Sequence, residues 1–253
     1  MTRSPEIYTP GYAEPTLRLM LQRTAAKHAA FFTPYLRGGM CVLDCGCGPA
    51  TITLDLAKLV SPGQVVGIDL EPNQLRSAQD RSRQQGINAS FGVASVYNLP
   101  FADSQFDAVF AHALFEHLRE PARALSEMRR VLRSSGIVAL RSPDWAGWLV
   151  YPPCPLIEQG FDSFKKIQIA NGGNPHVGRA LSGLLRQSGF SNVSFSASYE
   201  LVYDPAFFID WLASCLELKG NTELRQNAKV VRDWSEHPDA IVAVSWFEGI
   251  ATA

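Results

Sequence analysis

The sequence predicts an α/β fold: one open, mostly parallel, doubly wound sheet with helices on both faces. Short apolar runs alternate with amphipathic helical stretches between residues 41 and 142. Each run is continuously apolar rather than alternating, as in strands covered on both sides. The first run also passes through an acid and two glycines into a helical pattern, "VLDCGCGPATITLDLA" over residues 42–57. A parallel strand turns into a helix around a ligand in this way.

The elements follow in order. Residues 1–15 are rich in Pro, Tyr and Gly and read as an irregular arm, and 16–36 read as a helix with a short continuation at Pro34. "RGGM" is a turn, "CVLDC" the first strand and "PATITLDLAKLV" a helix ended by "SPGQ". "VVGIDL" is the second strand, followed by a helix that stops at Gly86, and "ASFGVA" is a weaker third strand. "DAVFAHAL" is the fourth strand. The next helix carries Pro121 in its first turn and Gly136 after its end, and "IVALRS" is the fifth strand. Beyond residue 142 come a Trp/Tyr/Pro-rich connection, two helices, the strand "VSFSASYELVY", helical segments around 205–219 and 222–236, and a last strand, "AIVAVSWFEGIATA".

Composition bounds the function. Hydrophobic residues make up 46% and charged residues 19%, with a formal net charge of −1. No polybasic block supports a nucleic-acid partner. No apolar stretch is long enough for a membrane span and no leader-like segment opens the chain, so the sequence reads as cytoplasmic. The five cysteines lack framework or metal-site spacing, and no metal is expected at Cys41, Cys45 and Cys47.

The turn after the first strand identifies the ligand class. Gly46 and Gly48 let backbone approach a ligand, and the helix starting near Thr51 offers free N–H groups. Asp69 ends the second strand, where a carboxylate grips a ribose diol. A dinucleotide fingerprint would need glycine at Thr51, and Asp44 would repel a pyrophosphate. That acid suits a cationic or zwitterionic ligand end. A ribose-bearing cation fits S-adenosylmethionine.

At these residues the sequence resembles a known family. "VLDCGCGPAT", "VVGIDLEPNQL", "ASVYNLPFADSQFDAVFAHALFEHL" and "ALSEMRRVLRSSGIVAL" look like successive motifs of class I S-adenosylmethionine-dependent methyltransferases, most like the ubiquinone/menaquinone-biosynthesis type and its small-molecule relatives. The resemblance implies a seven-stranded sheet of order 3-2-1-4-5-7-6 with the last strand antiparallel, in a single domain over 1–253. Residues 1–36 would be arm and helix, 38–142 the cofactor core, and 143–188 with 205–236 a helical substrate cover.

The resemblance carries over residue by residue. Asp44, Gly46 and Gly48 would surround the methionine part of the cofactor. Asp69 would hold the ribose, Leu70 would lie against the adenine with Gln74 nearby, and Ser95 and Val96 would meet the adenine edge, Ser95 standing where many members have Asp. Ala111 and His112 would lie under the methionine chain. Ala50 replaces a family glycine and is expected to adjust the turn, because alanine enters left-handed backbone angles at a cost. Tyr8, as a lid hydroxyl, and Arg23 would meet the cofactor carboxylate; the alternatives are an exposed arm and a surface ion pair. His112, Glu116 and His117 form a candidate acid/base set, in which His112 and Glu116 would share a face if the chain turns helical there; His112 is the candidate general base, whereas His117 reads as structural. Trp145, Trp148, Asn171 and His176 are the candidate acceptor-binding residues, with Asn174 and Arg179 in the same insertion.

The expected function is methyl transfer to a small apolar or aromatic acceptor, with the atom methylated left open and a homodimer among the allowed states. The rivals are a non-catalytic cofactor-binding or assembly protein and an NAD-dependent oxidoreductase.

Overall fold

The computed structural model describes residues 7–253. The expected helix over 16–36 is instead α1 (Glu14–Leu21), α2 (Ala25–His28) and a 3₁₀ turn over Thr33–Tyr35. Thr24 makes the first break: its backbone is extended, and its hydroxyl caps α2 by accepting the Lys27 N–H. Pro34 sits in the 3₁₀ turn, where its missing N–H does least harm.

Then come β1 (Cys41–Cys45), α3 (Thr51–Val60), β2 (Gln64–Asp69), α4 (Pro72–Gln85), β3 (Ala89–Val93), β4 (Phe106–His112), α5 (Pro121–Val131) and β5 (Leu132–Pro143). The last of these begins five residues before the predicted fifth strand, at Leu132. The aromatic connection contains a short β6 (Leu149–Tyr151), and α6 (Pro155–Ala170), α7 (Val177–Gln187) and β7 (Ser191–Leu201) follow. The chain closes with α8 (Pro205–Glu217), α9 (Glu223–Gln226), α10 (Ala228–Ser235) and β8 (Ile241–Thr252).

The sheet runs β3-β2-β1-β4-β5-β8, with both β7 and the short β6 paired to β8. β1 to β5 are parallel, and β8 is antiparallel to β5 and β7. The seven predicted strands therefore take the expected order, and β6 is an eighth, too short for periodicity to reveal. Strand order reverses between β1 and β4, so the turn after β1 opens at the place where such sheets bind ligands.

Side-chain alternation along β4 sorts the core. Val109 and Ala111 pack with Leu125 and Met128 of α5 and with Leu181 of α7. Ala108 and Phe110 face the other way, with Phe32, and with Ile52 and Leu56 of α3. A third, aromatic-rich cluster lies over the first half of β8, where Trp145, Phe161, Phe164, Phe208 and Trp211 gather on Val242, Val244 and Trp246. Among the described residues no helix is long and apolar enough to cross a membrane.

Candidate active site

Beyond the carboxyl ends of β1, β2 and β4 lies a cavity of about 330 Å³. The turn that forms its floor is held in left-handed backbone. Gly46, Gly48 and Ala50 have φ of 74°, 51° and 64°. A Cβ on Gly46 would come within 3.2 Å of Leu114 Cδ1. The expectation that Ala50 would adjust the turn is answered by the fold: fully buried Ala50 takes the left-handed conformation itself and stands before α3 as its N-cap. That strain costs about 1–2 kcal/mol and is held by the surrounding packing.

Two carboxylates frame the turn. Asp44 is 3% exposed and accepts a 2.6 Å hydrogen bond from the Thr53 hydroxyl of α3. Burial pushes its carboxyl up to about 7, so a cationic group placed beside it would restore the charged form. Asp69 ends β2 and accepts the N–H of Gly48 at 2.9 Å and of Glu71 at 3.0 Å, one on each carboxylate oxygen. Burial raises its pKa, and those backbone donors pull it back. Each oxygen keeps a lone pair for a diol.

Most of the predicted cofactor residues meet in this cavity: Tyr8, Arg23, Asp44, Gly46, Gly48, Asp69, Leu70, Ser95, Val96 and His112. Two do not. Ala111 is packed into the core on the far face of β4, because alternation turns Phe110 and His112 towards the ligand side instead. Gln74 is 5% exposed in the first turn of α4 and lies outside the lining, whereas Glu71, the cap of that helix, stands in it.

A second cavity, of about 460 Å³, shares Tyr8, Met20, Arg23, Ala113 and His117 with the first. Its walls include Trp145, Trp148, Phe164, Phe208, Trp211 and Trp246. Trp145 and Trp148 stack at 3.7 Å between ring centroids, and Phe164 stacks on Trp145 at 4.4 Å. Both expected acceptor tryptophans thus line this cavity. Asn171 and His176 do not. The Asn171 amide donates to Thr9 at 3.0 Å and its backbone carbonyl accepts from Arg119, which ties down the N-terminal arm. His176 turns to Asp144, whose carboxylate also takes the Arg179 guanidinium. Hydrogen bonding spends both side chains on loop structure outside the two cavities.

His112 departs from its expected role. Its Nε2 lies 3.0 Å from the Arg141 guanidinium. Arginine only donates, so Nε2 is the acceptor and Nδ1 carries the proton. Burial and the neighbouring charges of Arg23 and Arg141 hold the ring neutral, its pKa well below the ordinary histidine value. The lone pair that a general base needs is already used. His112 is a neutral ring whose Nδ1–H has no partner among the described residues.

The other two members of the candidate acid/base set, Glu116 and His117, lie on the 3₁₀ turn after β4 (Phe115–His117), and the sequence alone does not place them in the site. His117, read as structural, lines both cavities, with the Tyr8 ring edge-on at 4.7 Å. Burial pushes it down to about 3, so it is neutral. Glu116 lines the second cavity and is 3% exposed. No periodicity marks either residue, since the turn breaks both strand and helix spacing.

Arg23 stands between the cavities, and among the described residues its guanidinium has no hydrogen-bond or ion-pair partner. A glycine cradle, a buried acid for a cation, a free guanidinium for a carboxylate and Asp69 for a diol match the chemistry of S-adenosylmethionine at each of its polar ends.

Comparison with known proteins agrees. The profile of the family described as "Methyltransferase domain" matches residues 43–140. An uncharacterized methyltransferase of Schizosaccharomyces pombe is 32% identical over 185 residues, 70% of this chain and 66% of that protein. The chain belongs to the class I S-adenosylmethionine-dependent methyltransferases. Another relative in this family, the ubiquinone/menaquinone biosynthesis C-methyltransferase UbiE of Bdellovibrio bacteriovorus, is 32% identical over 102 residues, 40% of this chain and 43% of that protein. The chain therefore spans between 43% and 66% of the length of these curated relatives. A putative methyltransferase from Bacillus halodurans of known structure superposes with a TM-score of 0.65 at 18% identity, covering 90% of this chain and 98% of that one, a likeness of fold.

Proposed function

We propose that this methyltransferase-family chain transfers a methyl group from S-adenosylmethionine to a small, largely apolar or aromatic molecule held in the second cavity. The observation that carries the reading is the joint between the cavities. Tyr8, Met20, Arg23, Ala113 and His117 line both. A donor in the first and an acceptor in the second would meet there. The cofactor's sulfonium makes its methyl carbon electrophilic. What remains for the protein is to orient the acceptor and exclude water, and orientation alone is worth roughly 7–11 kcal/mol in favourable cases.

The residues divide the work. Asp69 would hold the ribose, Leu70, Ser95 and Val96 the adenine, and Asp44 and Arg23 the two charges of the amino-acid end. Tyr8 would close the joint from above, stacked on Tyr12 at 5.1 Å. The helices over 155–187 and 205–235 would cover the acceptor, with Trp145 and Trp148 as its wall. His112 would donate from Nδ1 rather than take a proton. A relative is named as a C-methyltransferase of ubiquinone and menaquinone biosynthesis, and a ring compound of that kind would suit the aromatic wall of the second cavity.

The direct test is turnover. Incubated with S-adenosylmethionine and a panel of aromatic phenols, amines and quinols, the protein should release S-adenosylhomocysteine with at least one of them, read by mass spectrometry. Methylation confined to peptides or nucleic acids would overturn the acceptor class. Tight calorimetric binding of NADH with none of S-adenosylhomocysteine would favour the oxidoreductase instead.

A further inference from the structure

The second cavity has an aromatic wall and a charged edge that includes Arg23, Lys27, Glu200 and Asp204, and four of its lining residues carry buried polar atoms left unsatisfied among the described residues. Among the described residues, Glu116 Oε2, Gln168 Oε1, and the indole N–H groups of Trp148 and Trp246 have no hydrogen-bond partner of ordinary geometry, although the Ser142 hydroxyl is near enough to the Glu116 carboxyl to lower its pKa. All four residues line that cavity. Glu116 is 3% and Gln168 1% exposed. Both are firmly held: the Gln168 amide donates to the Glu116 carbonyl at 3.0 Å, and the Asn174 N–H donates to the same carbonyl at 2.9 Å. Leaving buried polar groups unpaired is costly. Native folds pair such groups with ordered water, an ion or a ligand.

The set has a definite chemistry. Two acceptors, Glu116 Oε2 and Gln168 Oε1, ask for a donor. Two indole N–H groups ask for acceptors. An ammonium only donates and would leave both indoles unpaired; a hydrocarbon would leave all four. A flat molecule with a hydroxyl and a second oxygen meets both demands while its ring packs on tryptophan faces.

We propose that the acceptor is a hydroxyarene carrying a second oxygen, and that Glu116 is the general base that takes its hydroxyl proton. This rests on the methyltransferase reading above and names the acceptor for it. In the step, the acceptor oxygen forms a bond to the methyl carbon and the carbon–sulfur bond breaks, its electron pair remaining on sulfur. The hydroxyl proton passes to Glu116 Oε2 and leaves to water after product release. Glu116 suits this role, because burial pushes its carboxyl up to about 7, partly offset by its own backbone N–H, the Ser142 hydroxyl and the Arg23 charge, so near neutral pH it both accepts and releases a proton. His117 Nε2 lies 3.8 Å from Glu116 Oε1, and the ring is neutral, so no salt bridge fixes the carboxylate as an anion.

The test uses umbelliferone, its methyl ether and the corresponding amine, titrated by fluorescence into the protein loaded with S-adenosylhomocysteine. Umbelliferone should bind at least about tenfold tighter than the ether or the amine, as one hydrogen bond to a carboxylate allows. With S-adenosylmethionine it should be methylated on oxygen. Glu116→Gln should abolish the binding preference and lower turnover by about a hundredfold or more. Its affinity for S-adenosylhomocysteine should stay within twofold, which shows that it is folded. Glu116→Asp should recover part of the preference. Equal or tighter binding of the ether or amine overturns the proposal, as does a Glu116→Gln protein that keeps the preference or the rate. If none of the three compounds binds while S-adenosylhomocysteine does, the hydroxyarene class falls and the cofactor reading stands. If S-adenosylhomocysteine itself does not bind, the methyltransferase reading falls with it.

Discussion

Asp69→Ala weakens S-adenosylhomocysteine binding by about a hundredfold in isothermal titration calorimetry. Two hydrogen bonds from a ribose diol to a carboxylate are each worth about 1.5–3 kcal/mol, and losing about 3 kcal/mol raises Kd roughly a hundredfold. The same carboxylate holds the N–H groups of Gly48 and Glu71, so the substitution also loosens the turn. That adds a stability loss of about 1–2 kcal/mol, because two backbone donors lose their acceptor at a partly exposed site. Asp69→Asn keeps one acceptor oxygen and should fall between the two. Unchanged affinity in the alanine variant would remove Asp69 from the ribose site.

The second large effect is on stability. Arg141 is 3% exposed, and its guanidinium reaches Glu248 at 3.3 Å, Glu200 at 3.4 Å and His112 at 3.0 Å while lying 4.2 Å over the Trp246 ring. Sheet register makes this cluster, since His112 pairs with Arg141 across β4 and β5, and Arg141 with Glu248 across β5 and β8. Arg141→Met leaves two largely buried carboxylates without the cation between them. Breaking a buried pair from one side costs about 3–5 kcal/mol. Glu200 keeps Lys27 at 2.8 Å, and Glu248 keeps the hydroxyls of Ser196 and Ser198. The expected loss is therefore near the lower end, about 3 kcal/mol, or roughly 6–12 °C in Tm for a chain of this size. Adding Glu200→Gln and Glu248→Gln should recover most of it, because the repulsion goes with the charges. Urea unfolding of both variants measures this; a loss under about 1 kcal/mol for Arg141→Met would mean that the cation does not hold the cluster together.

The fold was legible because its strands and helices have clean periods. The continuous runs at β1, β2, β4 and β5 and the acid–glycine turn give the parallel sheet and its ligand end. The cofactor half of the site was legible for the same reason, since Asp44, Gly46, Gly48 and Asp69 sit at strand ends that the sequence marks. Ala111 was misplaced by one residue, the smallest error possible in a strand, and that slip turns a side chain to the opposite face. The acceptor half was harder to read. Glu116 and His117 lie on a 3₁₀ turn without periodicity. Gln168 is buried in the last turn of α6, and Trp246 belongs to β8, more than a hundred residues from His112 of β4, which it meets. His112 looked like a base because its type and place suit one. Only the cross-strand register reveals that Arg141 occupies its free nitrogen. Asn171 and His176 look like polar pocket residues in an insertion, and the tertiary partners that use them, Thr9 and Asp144, lie far off in sequence.

The two cavities are read as halves of one site, and a crystal structure with S-adenosylhomocysteine bound tests that most directly. The ribose diol should lie on Asp69, the homocysteine ammonium at Asp44 and its carboxylate at Arg23. The sulfur should lie at the joint formed by Tyr8, Ala113 and His117, with an open line into the aromatic cavity. A sulfur turned away from that joint, or walled off from Trp145 and Glu116, would separate the two cavities and end the reading of them as one site.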